Sequence, residues 1–206
     1  MAFDSRAFAI ILAGGRSSRM GRDKATLPLG GRTLVERVVA ELRRAFSPII
    51  VVGAMPSEQS PVIDEAAADI ILVRDRVAGQ GPVHALRRGL EAAGGDYGFV
   101  ASCDLPMLRA AVALKLCAML GPHDAVIPRI GGRLQMLHAV YRGRCLGALA
   151  EMEDIGERRL HTIVERIDAQ IVGESEMRAV DPKLESFINV NTPEDYARAR
   201  ATIERS

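Results

Sequence analysis

The stretch Phe8–Lys24, FAIILAGGRSSRMGRDK, decides how the rest of the chain is read. Residues 8–13 form a continuous apolar run of strand length. Such a run suits a strand covered on both faces, as in a parallel sheet. It ends in Gly14 and Gly15, where the missing Cβ lets backbone N–H groups approach a ligand closely. Arg16, Arg19, Arg22 and Lys24 follow against a single acid, Asp23. In an open α/β sheet, ligands bind beyond the carboxyl ends of the strands, near the point where strand order reverses. A glycine turn there, followed by mobile positive charge, describes a polyphosphate cradle. The spacing is neither GxxxxGK[ST] nor GxGxxG. A solvated basic loop is the alternative that local composition leaves open.

Working outward, further strand-like runs fall at 48–53, 69–73, 97–102, 124–128, 137–141, 169–173 and 187–191. Helical patterns alternate with them. Leu34, Val35, Val38, Val39 and Leu42 share one face of a helix over 33–45, and Thr33 with Glu36 forms a capping-box signature. Pro82–Ala93 opens with Pro at a first-turn position, and Ala110–Leu120 and Leu146–Glu153 follow. The last helix opens at NTPEDYARA, with Thr192 as its cap. Gly131–Gly132 reads as a hairpin turn between 124–130 and 133–141. The expectation is an α/β fold: one Rossmann-like, open, mostly parallel sheet with helices on both faces and a small antiparallel hairpin subregion. The 206 residues fit a single domain, 1–206.

Composition narrows the function. With 27 basic and 26 acidic side chains the chain lacks a global basic field, and three Tyr, five Phe and no Trp leave few stacking platforms. No nucleic-acid partner is expected. Cys103, Cys117 and Cys145 form no CxxC pair, which argues against a thiolate metal site or a disulfide framework. No apolar run approaches the roughly 18 residues of a membrane span, so no membrane partner is expected. Asp4 and Arg6 precede a short apolar run without a cleavage pattern, and the cytoplasm is the expected compartment.

Two further stretches can carry chemistry. In ASCDLPML, Asp104 ends a buried run before Leu-Pro, which stops the strand. A carboxylate there faces the glycine loop, and beside phosphates it calls for a divalent cation. Mg²⁺ takes one or two carboxylates together with phosphate oxygens and water. The alternative is a helix cap from Leu105 onward. In NVNTPED, Asn189 and Asn191 alternate and so share a face of an extended segment. They suit a metal or a second phosphate; the alternative is an Asx turn or cap beside Thr192. His84, His123, His138 and His161 show no ligand spacing and read as structural. No GxSxG or catalytic triad order points to nucleophilic catalysis.

Taken together, LAGGRSSRMGRDKATLPLGGRTLVERV resembles the N-terminal signature of nucleotidyltransferases that act on molybdenum cofactor, LAGGxSxRMGxDK. VRDRVAGQGPVHALRRGL, CDLPML, GERRLHTIV and FINVNTPEDYARA are similar to that family's later segments. The resemblance covers nearly the whole chain and points to the guanylyltransferases. It implies transfer of GMP from GTP to the phosphate of molybdopterin, with Mg²⁺ on Asp104 and pyrophosphate released. Lys24 and Arg19 would stabilise charge on the β- and γ-phosphates. Leu12, Ala13, Gly14 and Gly15 would hold the nucleoside, with Gly53, Asp75 and Gly81 as further nucleotide positions. Asn189 and Asn191 would face the acceptor, which a delivery protein or a molybdoenzyme could hand over or receive. The chain departs from the family pattern at Val83, His84 and Ala85 after Gly81-Pro82, at Met136 after Gln135, and at Gly53, where some relatives have Asn. The alternatives are a cytidylyltransferase for the same cofactor, a sugar-phosphate nucleotidyltransferase, and a nucleotide-binding protein without catalysis. The cytidylyl relatives tend to carry LAAG where this chain has LAGG.

Overall fold

The computed structural model describes residues 7–13, 27–53, 67–74 and 79–204. In chain order, β1 (Ala7–Leu12) precedes a short pair, β2 (Pro28–Leu29) and β3 (Arg32–Thr33). Then come α1 (Leu34–Leu42), β4 (Ile49–Gly53), β5 (Ile70–Arg74), α2 (Pro82–Ala93), β6 (Tyr97–Ser102) and α3 (Ala110–Ala118). The remainder is β7 (Ala125–Ile130), β8 (Arg133–Leu134), β9 (His138–Arg142), α4 (Leu146–Asp154), β10 (Ala169–Val172), α5 (Glu174–Arg178) and α6 (Pro193–Ile203).

Among the described residues, eight strands make one sheet in the order β10-β7-β9-β6-β1-β4-β5, with β8 paired to β7. β1 runs parallel to β4 and β6, β4 to β5, and β10 to β7. β9 is antiparallel to both of its neighbours. β1 is central: β4 and β5 extend the sheet on one side of it, and β6 returns to the other. Strand order therefore reverses beside β1, at the carboxyl end of the apolar run Phe8–Ala13.

Every residue of β1 and β4 is buried, which accounts for their unbroken apolar composition. Alternation still sorts the side chains between two layers. Ala9 and Ile11 meet Val35, Val38 and Leu42 of α1 and Val112 and Leu116 of α3. Phe8, Ile10 and Leu12 meet Val83, Leu86 and Leu90 of α2 and Leu149 and Met152 of α4. Gly98 is paired in register with Phe8. A Cβ at Gly98 would lie 2.6 Å from the Phe8 carbonyl oxygen, so only glycine fits at that crossing.

The helix ends follow their capping chemistry. Thr33 and Glu36 complete the reciprocal capping box on α1. Pro82 occupies the first turn of α2, and Gly94 at φ 61° closes it in the left-handed conformation. Gly131 and Gly132, at φ 56° and 76°, turn β7 into β8 as the glycine pair predicts. No helix among the described residues is long and apolar enough to cross a membrane.

One expected strand is absent. Residues 187–191 do not pair into the sheet: a 3₁₀ turn covers Glu185–Phe187, and 188–191 run beside the end of β6. The alternation survives nonetheless, with Val190 buried between half-buried Asn189 and exposed Asn191. Helix α3 also ends at Ala118 rather than 120.

Candidate functional site

The carboxyl edge around β1 brings four sequence-predicted positions together. Leu12 and Ala13 are buried at the end of β1. The Ala13 N–H donates to the Val52 carbonyl at 2.8 Å, which sets Ala13 beside Gly53 at the end of β4. On the other side, Leu12 is in register with Ser102, and the Cys103 N–H donates to the Leu12 carbonyl at 3.1 Å. Cys103 and Asp104 form a turn there, and Asp104 is half-buried just past the end of β6, beside β1.

Asp104 is not a helix cap. Residues 103–109 form turns, and α3 starts only at Ala110, whose N–H donates to Glu41 of α1 at 2.8 Å. The carboxylate instead accepts from the Asn189 side-chain amide at 3.0 Å, across 85 residues of sequence. The Val190 N–H donates to the Asp104 carbonyl at 2.8 Å. Two bonds thus zip the 188–190 segment onto Asp104. Asn191 stands just beyond, but Thr192 supplies the cap of α6: its side chain accepts from the Asp195 N–H at 3.1 Å. The Asn191 N–H donates to the Asp195 carboxylate at 3.1 Å.

Gly81 precedes α2, which follows β5 and packs back on β1 and β4, so its N-terminus lies at the same carboxyl edge. Gly81 has φ 90°, and a Cβ there would come within 3.6 Å of the Arg158 Cβ. Arg159 turns away onto Glu157 at 2.8 Å, and its guanidinium holds the Glu157 carboxyl down to about 2. The structure thus brings part of GERRLHTIV to the start of α2. Gly14, Gly15, Arg19, Lys24 and Asp75, together with Arg16 and Arg22, lie outside the described residues.

The departures from the family pattern have structural settings. His84 pairs with Glu153 of α4 at 2.7 Å, and Arg87 joins the same carboxylate at 2.5 Å, tying α2 to α4. The carbonyl of Met136 accepts from the buried Tyr141 hydroxyl at 2.9 Å. His123 pairs with Asp168 at 3.0 Å. His138, at the start of β9, is wholly buried beside Asp181, a residue that sequence reasoning passed over. Its signal was DPKLESF: an acid ahead of Pro, followed by Leu184 and Phe187 three residues apart.

Among the described residues no group of three or more His, Cys, Asp or Glu side chains could enclose a metal. One carboxylate with an amide beside it, at the edge where phosphates are expected, still fits a hard cation that completes its shell with water and ligand oxygens.

Among the described residues, a mostly parallel sheet carries a carboxylate beside its strand-order reversal, the place where an open α/β sheet binds its ligand. The architecture matches that of molybdopterin-guanine dinucleotide biosynthesis protein A of Archaeoglobus fulgidus with a TM-score of 0.81 at 23% identity, covering 96% of this chain and 99% of that one. It also matches 2-C-methyl-D-erythritol 4-phosphate cytidylyltransferase of Thermus thermophilus with a TM-score of 0.70 at 19% identity, covering 96% and 98%. Residues 9–171 match the MobA-like NTP transferase domain, and the chain belongs to that family. The molybdenum cofactor guanylyltransferase of Desulfosudis oleivorans is 32% identical over 197 residues, 95% of each chain. A relative in Mycobacterium avium, named a probable molybdenum cofactor guanylyltransferase, is 37% identical over 210 residues, 98% of this chain and 100% of its own.

Proposed function

We propose that the chain transfers GMP from GTP to the terminal phosphate of molybdopterin or its molybdenum form, giving the guanine dinucleotide and pyrophosphate. The observation that carries this reading is the end-to-end similarity to guanylyltransferases of that name, at up to 37% identity. An acceptor phosphate oxygen attacks the α-phosphorus of GTP, the bond from that phosphorus to the β-bridging oxygen breaks, and pyrophosphate leaves with its electron pair. The nucleophile is already an anion, so no strong general base is required. The barrier is the approach of one anion to another.

The chain's residues address that barrier. Asp104 is the residue to hold Mg²⁺, which when bound neutralises phosphate charge. Asn189 fixes the Asp104 carboxylate through its amide and, with Asn191, faces the acceptor. The Leu12–Gly15 backbone, with Gly53, Asp75 and Gly81, bounds the nucleotide. Arg19 and Lys24 compensate the charge that builds on the leaving pyrophosphate. The whole chain, 1–206, serves as one catalytic unit. Cys103, Cys117 and Cys145 are thiols, which accords with a reducing compartment, the cytoplasm.

The fold is shared with a cytidylyltransferase, so base choice rests on local contacts rather than architecture. Pyrophosphate release measured with GTP, CTP and ATP, each with and without molybdopterin, tests the reading. Release is expected with GTP and only when molybdopterin is present. Equal or greater release with CTP would move the chain to the cytidylyl reaction.

A further inference from the structure

Three polar side chains are sealed within the protein behind the carboxyl edge. His138 and Ser186 are each 1% exposed and Asp181 is 0%. Both ring nitrogens of His138, Asp181 Oδ1 and Ser186 Oγ have no hydrogen-bond partner. Four such atoms in a core are costly unless something answers them.

Their positions link them to Asp104. His138 pairs in register with Ala101 of β6, three residues before Asp104. Its ring meets Phe99 edge-on at 5.1 Å and lies against Phe187 at 4.2 Å. Asp181 shapes the segment that carries Phe187. Its Oδ2 accepts from the Ser186 N–H at 2.8 Å, and its carbonyl accepts from the Leu184 N–H at 2.9 Å. Between them Leu184 sits at φ 55°, the left-handed region that a branched residue adopts only when its surroundings hold it there. Two residues beyond Phe187, Asn189 and Val190 bond to Asp104. The buried cluster and the candidate metal carboxylate therefore lie at opposite ends of one segment, 181–190.

The chemistry of the cluster is complementary. Burial pushes the His138 imidazole down to about 3, against the opposing pull of Asp181. A neutral ring carries one N–H donor. Asp181 Oδ1 is an acceptor that lacks a donor, and the His138 N–H is a donor that lacks an acceptor.

We propose that His138 and Asp181 are positioning residues: one buried water bridges a ring N–H of His138 to Asp181 Oδ1 and latches segment 181–190 so that Asn189 is held on Asp104. A buried water bridging such groups is nearly as good as a direct bond. The consequence for transfer rests on the role assigned to Asp104 above; the latch itself does not.

Amide hydrogen exchange of the ligand-free protein tests it. His138→Phe keeps the ring contacts and removes both nitrogens. Asp181→Asn keeps an acceptor for the Ser186 N–H. In either variant the Val190 N–H is expected to exchange about tenfold faster, the loss of one buried hydrogen bond. The amides of Val51 and Val100 in the central strands keep their rates. The double variant matches the single ones, because both remove the same bond. His138→Gln, which restores a donor, returns Val190 toward the wild-type rate. Mn²⁺ titrated with a non-hydrolysable GTP analogue binds more weakly to both single variants. Unchanged Val190 exchange, or acceleration shared equally by Val51 and Val100, would overturn the latch. If the role of Asp104 is wrong instead, Asp104→Asn leaves transfer intact while Val190 still responds to His138→Phe.

Discussion

Asp104 and Asn189 meet at 3.0 Å although 85 residues separate them, and this pair is the core of the candidate site. Because α3 is not capped by Asp104, the two sequence readings of that residue divide cleanly. An Asn at 104 would serve a cap almost equally well, but it lacks the charge that a hard cation needs. Asp104→Asn is therefore expected to lower the transfer rate by about 100-fold or more while the melting temperature changes little. Wild-type turnover with wild-type Mg²⁺ dependence would remove the metal role. His138 offers a second test at this scale. The unfolded chain binds a proton near 6.5 that the native ring refuses until about 3, so the unfolded state holds more protons between those values. Stability tied to the neutral ring is complete above 6.5 and drains as pH falls toward 3. Urea unfolding of wild type and His138→Phe at stepped pH should show the advantage of wild type shrinking through that window. A difference constant with pH would contradict the assignment. The place of Asp104 at the carboxyl end of β6 was legible because an acid follows an apolar run. The His138–Asp181 proximity was not, because it joins residues 43 apart and depends on how a non-strand segment folds over β9.

Among the elements, strands and helices were legible where a continuous apolar run or a single period dominated. β1 and β4 are apolar throughout, and α1 carries Leu34, Val35, Val38, Val39 and Leu42 on one buried face. The expectation failed at 187–191, where alternation is real but no neighbouring strand edge is paired with it; the segment bonds to the Asp104 turn instead. The pair β2–β3 was missed because two-residue strands carry no readable period. It matters to the site: the Tyr196 hydroxyl donates to the Pro28 carbonyl, and Leu29 packs with Val190 and Ala199. α6 is thus docked beside the segment that carries Asn189 and Asn191. Thr192 caps this helix with Asp195 in a reciprocal box. Thr192→Ala should cost about 1 kcal/mol, read as a fall in melting temperature of about 2–4 °C. An unchanged melting temperature would show that the cap contributes nothing to docking.

At the scale of the molecule, the order β5-β4-β1-β6 puts four parallel strands side by side, and it assembles one edge from segments distant in sequence. The alternation of strands and helices made that architecture legible. The antiparallel β9 between β6 and β7 was foreshadowed only by the Gly131–Gly132 turn. The fold alone does not choose the base, since a cytidylyltransferase shares it, nor does it choose the acceptor. GTP labelled at the α-phosphate is incubated with the protein, Mg²⁺ and molybdopterin, and the products are separated. The label is expected in a pterin–guanine dinucleotide, with one pyrophosphate released per label transferred, and omitting molybdopterin should abolish both. Label remaining in GTP, or pyrophosphate released without a labelled dinucleotide, would contradict guanylyl transfer to the pterin.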